Sequence, residues 1–138
     1  MSLHEVLVVD DEAVNRFVLC KYLEQFEFLP IEAANGEEAL NELKKRPMCN
    51  IVLLDLNMPV MDGYEFLQEI NNSNALPDRE IAIIINSASD EETFQKMCTT
   101  HKINTHNVVA YVQKPVSMPF VIEKLRAQTL KRLQYNNA

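Results

Sequence analysis

Two stretches of this chain, Ile51-Val52-Leu53-Leu54 and Ile81-Ala82-Ile83-Ile84-Ile85, are apolar at every position. A strand with one face in water alternates polar and apolar residues. A strand that is apolar throughout is covered on both faces, which is the setting of a parallel sheet between layers of helices. Short β-rich runs alternate with helical patterns along the rest of the chain, and that alternation supplies the covering helices. It predicts strands near 5–9, 28–33, 51–55, 81–86 and 108–112. Helices are expected near 12–26, 36–46, 63–71, 90–101 and 117–134.

The second strand contains Pro30. Proline cannot donate to a ladder, so this strand belongs at a sheet edge. The strand order 2-1-3-4-5 satisfies that requirement and puts strands 1 and 3 side by side in the middle. The expectation is an α/β fold, a flavodoxin-like doubly wound (βα)5 with a five-stranded parallel sheet. A length of 138 residues suits one domain, 1–138, with a core of about 4–134.

Composition closes several routes. The formal net charge of −7 argues against nucleic acid as a direct partner, since phosphate contacts need clustered Lys and Arg. No apolar stretch approaches the ~20 residues of a membrane helix, so no membrane insertion is expected. Cys20, Cys49 and Cys98 are odd in number and widely spaced. They read as reduced thiols filling the core of a cytoplasmic protein. Gly36 and Gly63 are the only glycines. They are too few for a dinucleotide loop or a Walker loop, in which glycine lets backbone amides approach phosphate.

The apolar runs end in charge. Val6-Leu7-Val8-Val9 ends in Asp10 and Asp11, Ile51–Leu54 ends in Asp55, and Lys114 follows Val108-Val109-Ala110-Tyr111-Val112. Ligands of open α/β sheets bind beyond the carboxyl ends of the strands, so these charges describe a site. Three carboxylates at one spot raise each other's pKa, and a divalent cation relieves that. All-oxygen ligands with spare water positions suit Mg²⁺. A carboxylate so placed can attack a phosphoryl donor and carry the phosphoryl group. Catalysis then rests on positioning and on groups that stabilise the equatorial oxygens. Lys114 and Ser87, just past the fourth strand, can supply that support, and Ala88 leaves the approach open. Alone, Asp10-Asp11 reads as a helix cap, Ser87 as a turn residue and Lys114 as a surface charge. Their joint placement at the ends of strands 1, 3, 4 and 5 favours a site.

The helices carry their own patterns. Val18, Leu19, Tyr22, Leu23 and Phe26 form one stripe of the first helix, with Phe17 nearly opposite. Phe17 is either a tolerated surface aromatic or a docking contact for a partner helix. Asn35 caps the second helix, whose buried face is Ala39, Leu40 and Leu43. In the last helix Val121, Ile122 and Leu125 face the sheet, and its basic end, Lys131–Tyr135, is solvated.

Taken together, Val8-Val9-Asp10-Asp11-Glu12, Leu54-Asp55-Leu56-Asn57-Met58-Pro59-Val60-Met61-Asp62-Gly63, Ser87-Ala88 and Lys114-Pro115 resemble the receiver domain of two-component response regulators. The Asn57-Met58-Pro59 form is similar to receivers of hybrid histidine kinases, and single-domain regulators share it. The resemblance implies that Asp55 accepts a phosphoryl group from a phosphohistidine, with Mg²⁺ held by Asp11, Asp55 and the backbone carbonyl of Asn57. Asp10 acts through a water. Ser87 and Lys114 grip the phosphoryl oxygens. It also implies a cis Lys114–Pro115 bond. Tyr111 matches the aromatic that rotates inward with Ser87 on switching; alternatively it is a tyrosine packed on an edge strand. The switched surface is that of helix four, strand five and helix five. The implied partners are a histidine kinase or histidine phosphotransfer domain, and a downstream protein partner or tethered output domain. Such a chain catalyses its own phosphorylation and autodephosphorylation and is otherwise no enzyme. It is either a single-domain regulator or a module of a larger protein.

The departures from the family pattern fall in one region. The chain between Ser87 and Lys114 is several residues longer than usual and reads Thr99–Asn107 where a Gly-Ala turn is expected. Either the output surface is unusual or helix four is extended. His101 and His106 are spaced wrongly for a metal pair. Asn71–Asp78 reads as a polar surface insertion. Among rivals, an aspartate-nucleophile phosphatase needs a second Asp where Asn57 stands. An inert receiver-like binding module would have lost part of the acid pocket or the lysine. A flavin protein lacks its phosphate loop.

Overall fold

The structure, a computed structural model, describes residues 3–72, 74–115 and 117–136, with side chains as far as Lys131. Five strands alternate with five helices: β1 (His4–Val9), α1 (Ala13–Gln25), β2 (Phe28–Ala33), α2 (Gly36–Lys45), β3 (Ile51–Leu54), α3 (Gly63–Ile70), β4 (Ala82–Ser87), α4 (Glu91–Thr100), β5 (Val108–Gln113) and α5 (Met118–Asn136). All strand pairs are parallel and the order is β2-β1-β3-β4-β5. Each predicted element is present with its ends within two residues of those expected. Pro30 lies on an edge strand, as its missing donor requires.

The alternation of β1, β3 and β4 divides the core in two. Leu7, Val9, Val52, Leu54, Ile83 and Ile85 pack against α2, α3 and α4. Val6, Val8, Ile51, Leu53 and Ile84 pack against α1 and α5. Ala39, Leu40 and Leu43 of α2, and Val121, Ile122 and Leu125 of α5, are buried as expected. The three cysteines are free and buried. The expected solvation of 132–135 lies outside the described side chains.

On α1 the buried stripe is Leu19, Cys20 and Leu23. Val18, expected in that stripe, is 53% exposed. The helix is rotated toward Cys20, whose small side chain fits against the sheet. Val14, Phe17 and Val18 are left together in solvent at helical spacing.

The segment 99–107 does not extend α4, which ends at Thr100. Its C-terminus closes by a Schellman motif: the Ile103 amide donates to the Cys98 carbonyl at 2.8 Å, and the Lys102 amide to the Thr99 carbonyl at 3.3 Å. Lys102 holds the left-handed conformation at φ 54° in place of glycine, and Ile103 inserts into the core. The 71–80 loop is also anchored. Leu76 is buried, and the Arg79 guanidinium donates to the carbonyls of Leu43, Arg46 and Cys49, closing the end of α2.

A left-handed lysine costs roughly 1–2 kcal/mol, and the greater freedom of unfolded glycine cancels part of any gain from replacing it. Lys102→Gly is therefore expected to raise stability by up to about 1 kcal/mol, read as a higher urea midpoint at unchanged slope. A lower midpoint would contradict the strained turn.

Candidate functional site

The ladders continue one residue past the strands. The Asp10 amide donates to the Ala33 carbonyl at 3.1 Å, the Asp55 amide to Val9 at 3.0 Å and the Lys114 amide to Ser87 at 2.7 Å. Alternation then places the side chains of Asp10, Asp55 and Lys114 on the α1–α5 face, in the row above Val8, Leu53 and Val112. One carboxylate oxygen each from Asp10, Asp11 and Asp55 lies within 4.8 Å of the others. The Lys114 ammonium sits 3.4 Å from Asp10 Oδ2 and 3.6 Å from Asp55 Oδ2. Asp10 and Asp55 are buried at 1% and 6% exposure, while Asp11 is open to solvent.

The aspartates are not helix caps. The N-cap of α1 is Glu12, which makes no side-chain cap bond. Asp10 Oδ1 instead accepts from the Glu12 amide at 2.9 Å, which orients the carboxylate. Arg16, which the sequence reading passed over, braces the same point: its Nη1 donates to the Asp10 carbonyl at 2.6 Å and its Nε to Glu32 at 2.9 Å. Its only signal in the sequence is a basic residue on the first turns of α1.

Both glycines of the chain brace the loop that follows Asp55. The Gly36 amide donates to the Met61 carbonyl at 2.8 Å, and the Gly63 amide to Leu56 at 2.9 Å. A Cβ on Gly63 would stand 2.6 Å from the Asp55 carbonyl, and one on Gly36 2.8 Å from the Met61 side chain. Between them Val60 takes φ 68° in a three-residue turn closed by the Met61 amide on the Pro59 carbonyl. A β-branched residue in this region is strained, and the strain lies in the loop that follows Asp55. Asp62 and Glu65 form a capping box that starts α3 behind that loop.

Burial pushes the Asp55 carboxyl above its usual range, and Asp10 adds to this; Lys114 and the amides of Asn57 and Leu56 oppose it. Three carboxylates with one ammonium leave the pocket net negative, a donor set of hard oxygens suited to a divalent cation.

Ser87 ends β4 and is fully buried, with its Oγ accepting from the Ser89 amide at 3.2 Å. It faces the α2–α4 side, as does Tyr111, while Ala88 is exposed. The Lys114–Pro115 bond is cis. The Tyr111 hydroxyl donates to the Ser89 carbonyl at 2.5 Å, and its ring lies 5.4 Å from Phe94, which in turn lies 5.9 Å from Tyr64. The structure thus gathers Asp10, Asp11, Asp55 and Lys114 at one point, with Ser87 at the end of β4 and Tyr111 of β5 bonded through its hydroxyl to the loop beyond Ser87. His101 and His106 stand apart from this site. His106 bonds Asn104 Oδ1 through its backbone and ring.

Known proteins are similar to this chain in sequence and fold. Residues 6–126 match the response regulator receiver domain family. A probable chemotaxis protein CheY of Rhizobium etli is 32% identical over 89% of this chain and 87% of its own length. A protein-glutamate methylesterase/protein-glutamine glutaminase of Halalkalibacterium halodurans is 33% identical over 94% of this chain, which spans about a third (36%) of that longer protein. Among solved structures, a chain of the CheX–CheY–BeF3–Mg complex of Borrelia burgdorferi superposes with a TM-score of 0.74 at 29% identity, over 91% of this chain and 88% of that one. The chain belongs to the response regulator receiver domain family, whose general function is phosphoacceptor signalling.

Proposed function

We propose that Asp55 is the phosphoacceptor of this chain and receives its phosphoryl group from the phosphohistidine of a histidine kinase or histidine phosphotransfer domain. The carrying observation is the cluster of Asp10, Asp11 and Asp55 within 4.8 Å, with Lys114 across it. A carboxylate oxygen of Asp55 forms the new bond to phosphorus as the phosphorus–nitrogen bond of the donor breaks, and the donor imidazole leaves with its electron pair. Lys114 stands beside the acceptor oxygen to hold one phosphoryl oxygen, and the Ser87 hydroxyl takes another after a shift of its loop. Receiver domains bind Mg²⁺ at an acidic pocket. Here Asp11, Asp55 and the Asn57 carbonyl would hold it, with Asp10 acting through a water. When bound it supplies positive charge for the phosphoryl oxygens.

The reading extends to the chain as a whole. Residues 1–138 form one receiver with a core of about 4–134. It turns over no external substrate beyond its own phosphorylation and autodephosphorylation, and it works in the cytoplasm. No described helix is long and apolar enough to cross a membrane. Its output is the surface of α4, β5 and α5, offered to a downstream protein or tethered output domain without direct nucleic-acid contact. Tyr111 already reaches the β4–α4 loop through its hydroxyl, so movement of Ser87 is transmitted to α4. The exposed row Val14, Phe17 and Val18 starts one turn from the aspartates and favours Phe17 as a docking contact for the phosphodonor.

Asp55→Asn tests the core of the reading. With a small phosphodonor and Mg²⁺, wild type should gain the mass of one phosphoryl group and the variant none; labelling of both would move the acceptor elsewhere. The same variant reports the charge balance. The folded Asp55 pKa is raised, so ionising this residue costs stability as pH rises from the unfolded value through the folded one. Without metal, Asp55→Asn should melt higher than wild type at neutral pH, and the gap should close in acid, where wild-type Asp55 is protonated.

Ser87→Ala should leave Asp55 able to take phosphate while abolishing phosphorylation-dependent partner binding; unchanged binding would exclude the hydroxyl as the switch. Phe17→Ala should slow transfer from a phosphohistidine protein by about 10-fold or more, the effect of a contact worth over 1 kcal/mol. Labelling by a small donor should be unchanged, and equal slowing of both reactions would place the defect in the pocket instead.

A further inference from the structure

The row of the sheet that carries Asp10, Asp55 and Lys114 also holds a polar residue that phosphoryl transfer, as derived above, leaves unused. Asn86 is 4% exposed on β4, and its carboxamide oxygen is buried with no hydrogen-bond partner among the described residues. A buried amide oxygen left unsatisfied costs stability, and an apolar side chain of the same shape would not.

The register locates it. Leu54 pairs with Ile85, so Asn86 is one step on, level with Asp55; on its other side it pairs with Val112. Alternation puts it on the face of Ile84, Leu53 and Val112, which is the face of Asp10, Asp55 and Lys114. The amide therefore belongs to the same row of the sheet as the two buried aspartates, under the lysine that follows Val112 by two residues.

Lys114 has three ammonium protons and makes two long contacts, at 3.4 and 3.6 Å, both to carboxylates that a divalent cation would claim. A bound cation draws those oxygens toward itself and repels the ammonium. A neutral acceptor that takes no part in ligation can hold the lysine through that stage. An apolar side chain at this place offers nothing comparable.

We propose that Asn86 is a positioning residue for Lys114, its carboxamide oxygen accepting the ammonium when a divalent cation occupies the three aspartates. The inference rests on the receiver reading of the pocket and adds a role for a residue outside its ligand set. An unpartnered amide is retained in the core because the metal-loaded state uses it.

Calorimetric titration with Mg²⁺ tests this on wild type, Asn86→Leu, Lys114→Ala and the double variant. Asn86→Leu should melt higher than wild type without metal, because an unsatisfied group is gone, yet bind Mg²⁺ several-fold more weakly, because Lys114 stays on the carboxylates. In the Lys114→Ala background the same leucine should change Mg²⁺ affinity by less than about two-fold, the signature of two residues acting through one interaction. Wild-type affinity in Asn86→Leu overturns the proposal. An equal loss with Lys114 absent also overturns it, since the amide would then act on packing alone. Failure of wild type to bind Mg²⁺ would instead overturn the pocket reading, and this inference with it.

Discussion

The hydrogen bonds just past the strand ends organise everything functional in this fold. A parallel ladder fixes position and side-chain direction together, and here it runs on through Asp10, Asp55 and Lys114. Each is bonded to its neighbour by its own backbone, so the side chains converge without relying on loop conformation. The sheet can hold like charges together because its interior is rigid and its two apolar layers are complete on either side of the row.

That placement has an electrostatic consequence. A carboxylate at 6% exposure beside another at 1% is held in a poor solvent for charge. Lys114 offsets part of this and the amides of Asn57 and Leu56 a little more, but burial prevails and the Asp55 pKa rises. Positive charge brought beside these carboxylates therefore stabilises the fold. The strained turn at Val60 lies in the loop that follows Asp55, beside this buried charge.

Much of this was legible in sequence because the signals were redundant. Ile51–Leu54 is apolar on both faces and Pro30 cannot sit in a central strand, so order and layers followed from two local facts. The charged ends of three strands then pointed to one place, and Asp10, Asp11 and Asp55 do come within 4.8 Å of one another there. What escaped the reading depends on tertiary contact. Val18 has the right spacing for the α1 stripe, but a small shift of helix rotation buries Cys20 in its place. Lys102 carries no mark of a left-handed turn, because the turn is set by the bonds that close α4 and by Ile103 reaching the core. Arg79 caps carbonyls 30 to 36 residues away in sequence, which no local pattern encodes.

The irregularity in β5 shows how closely the site depends on register. Val108 pairs with Ile83, but Ala110, not Val109, pairs with Ile84. One extra residue thus enters the strand, and Val109 turns outward at 40% exposure. Up to Val108 the strand follows one parity; beyond it the parity is reversed. The reversal sends Tyr111 to the α4 side, where it meets Phe94 and the Ser89 carbonyl, and sends Val112 and Lys114 to the side of the aspartates. Without the bulge Tyr111 would pair with Asn86 and face α5, and Lys114 would point away from Asp55. A single residue within the sheet thus decides which layer receives the aromatic ring and which receives the charge.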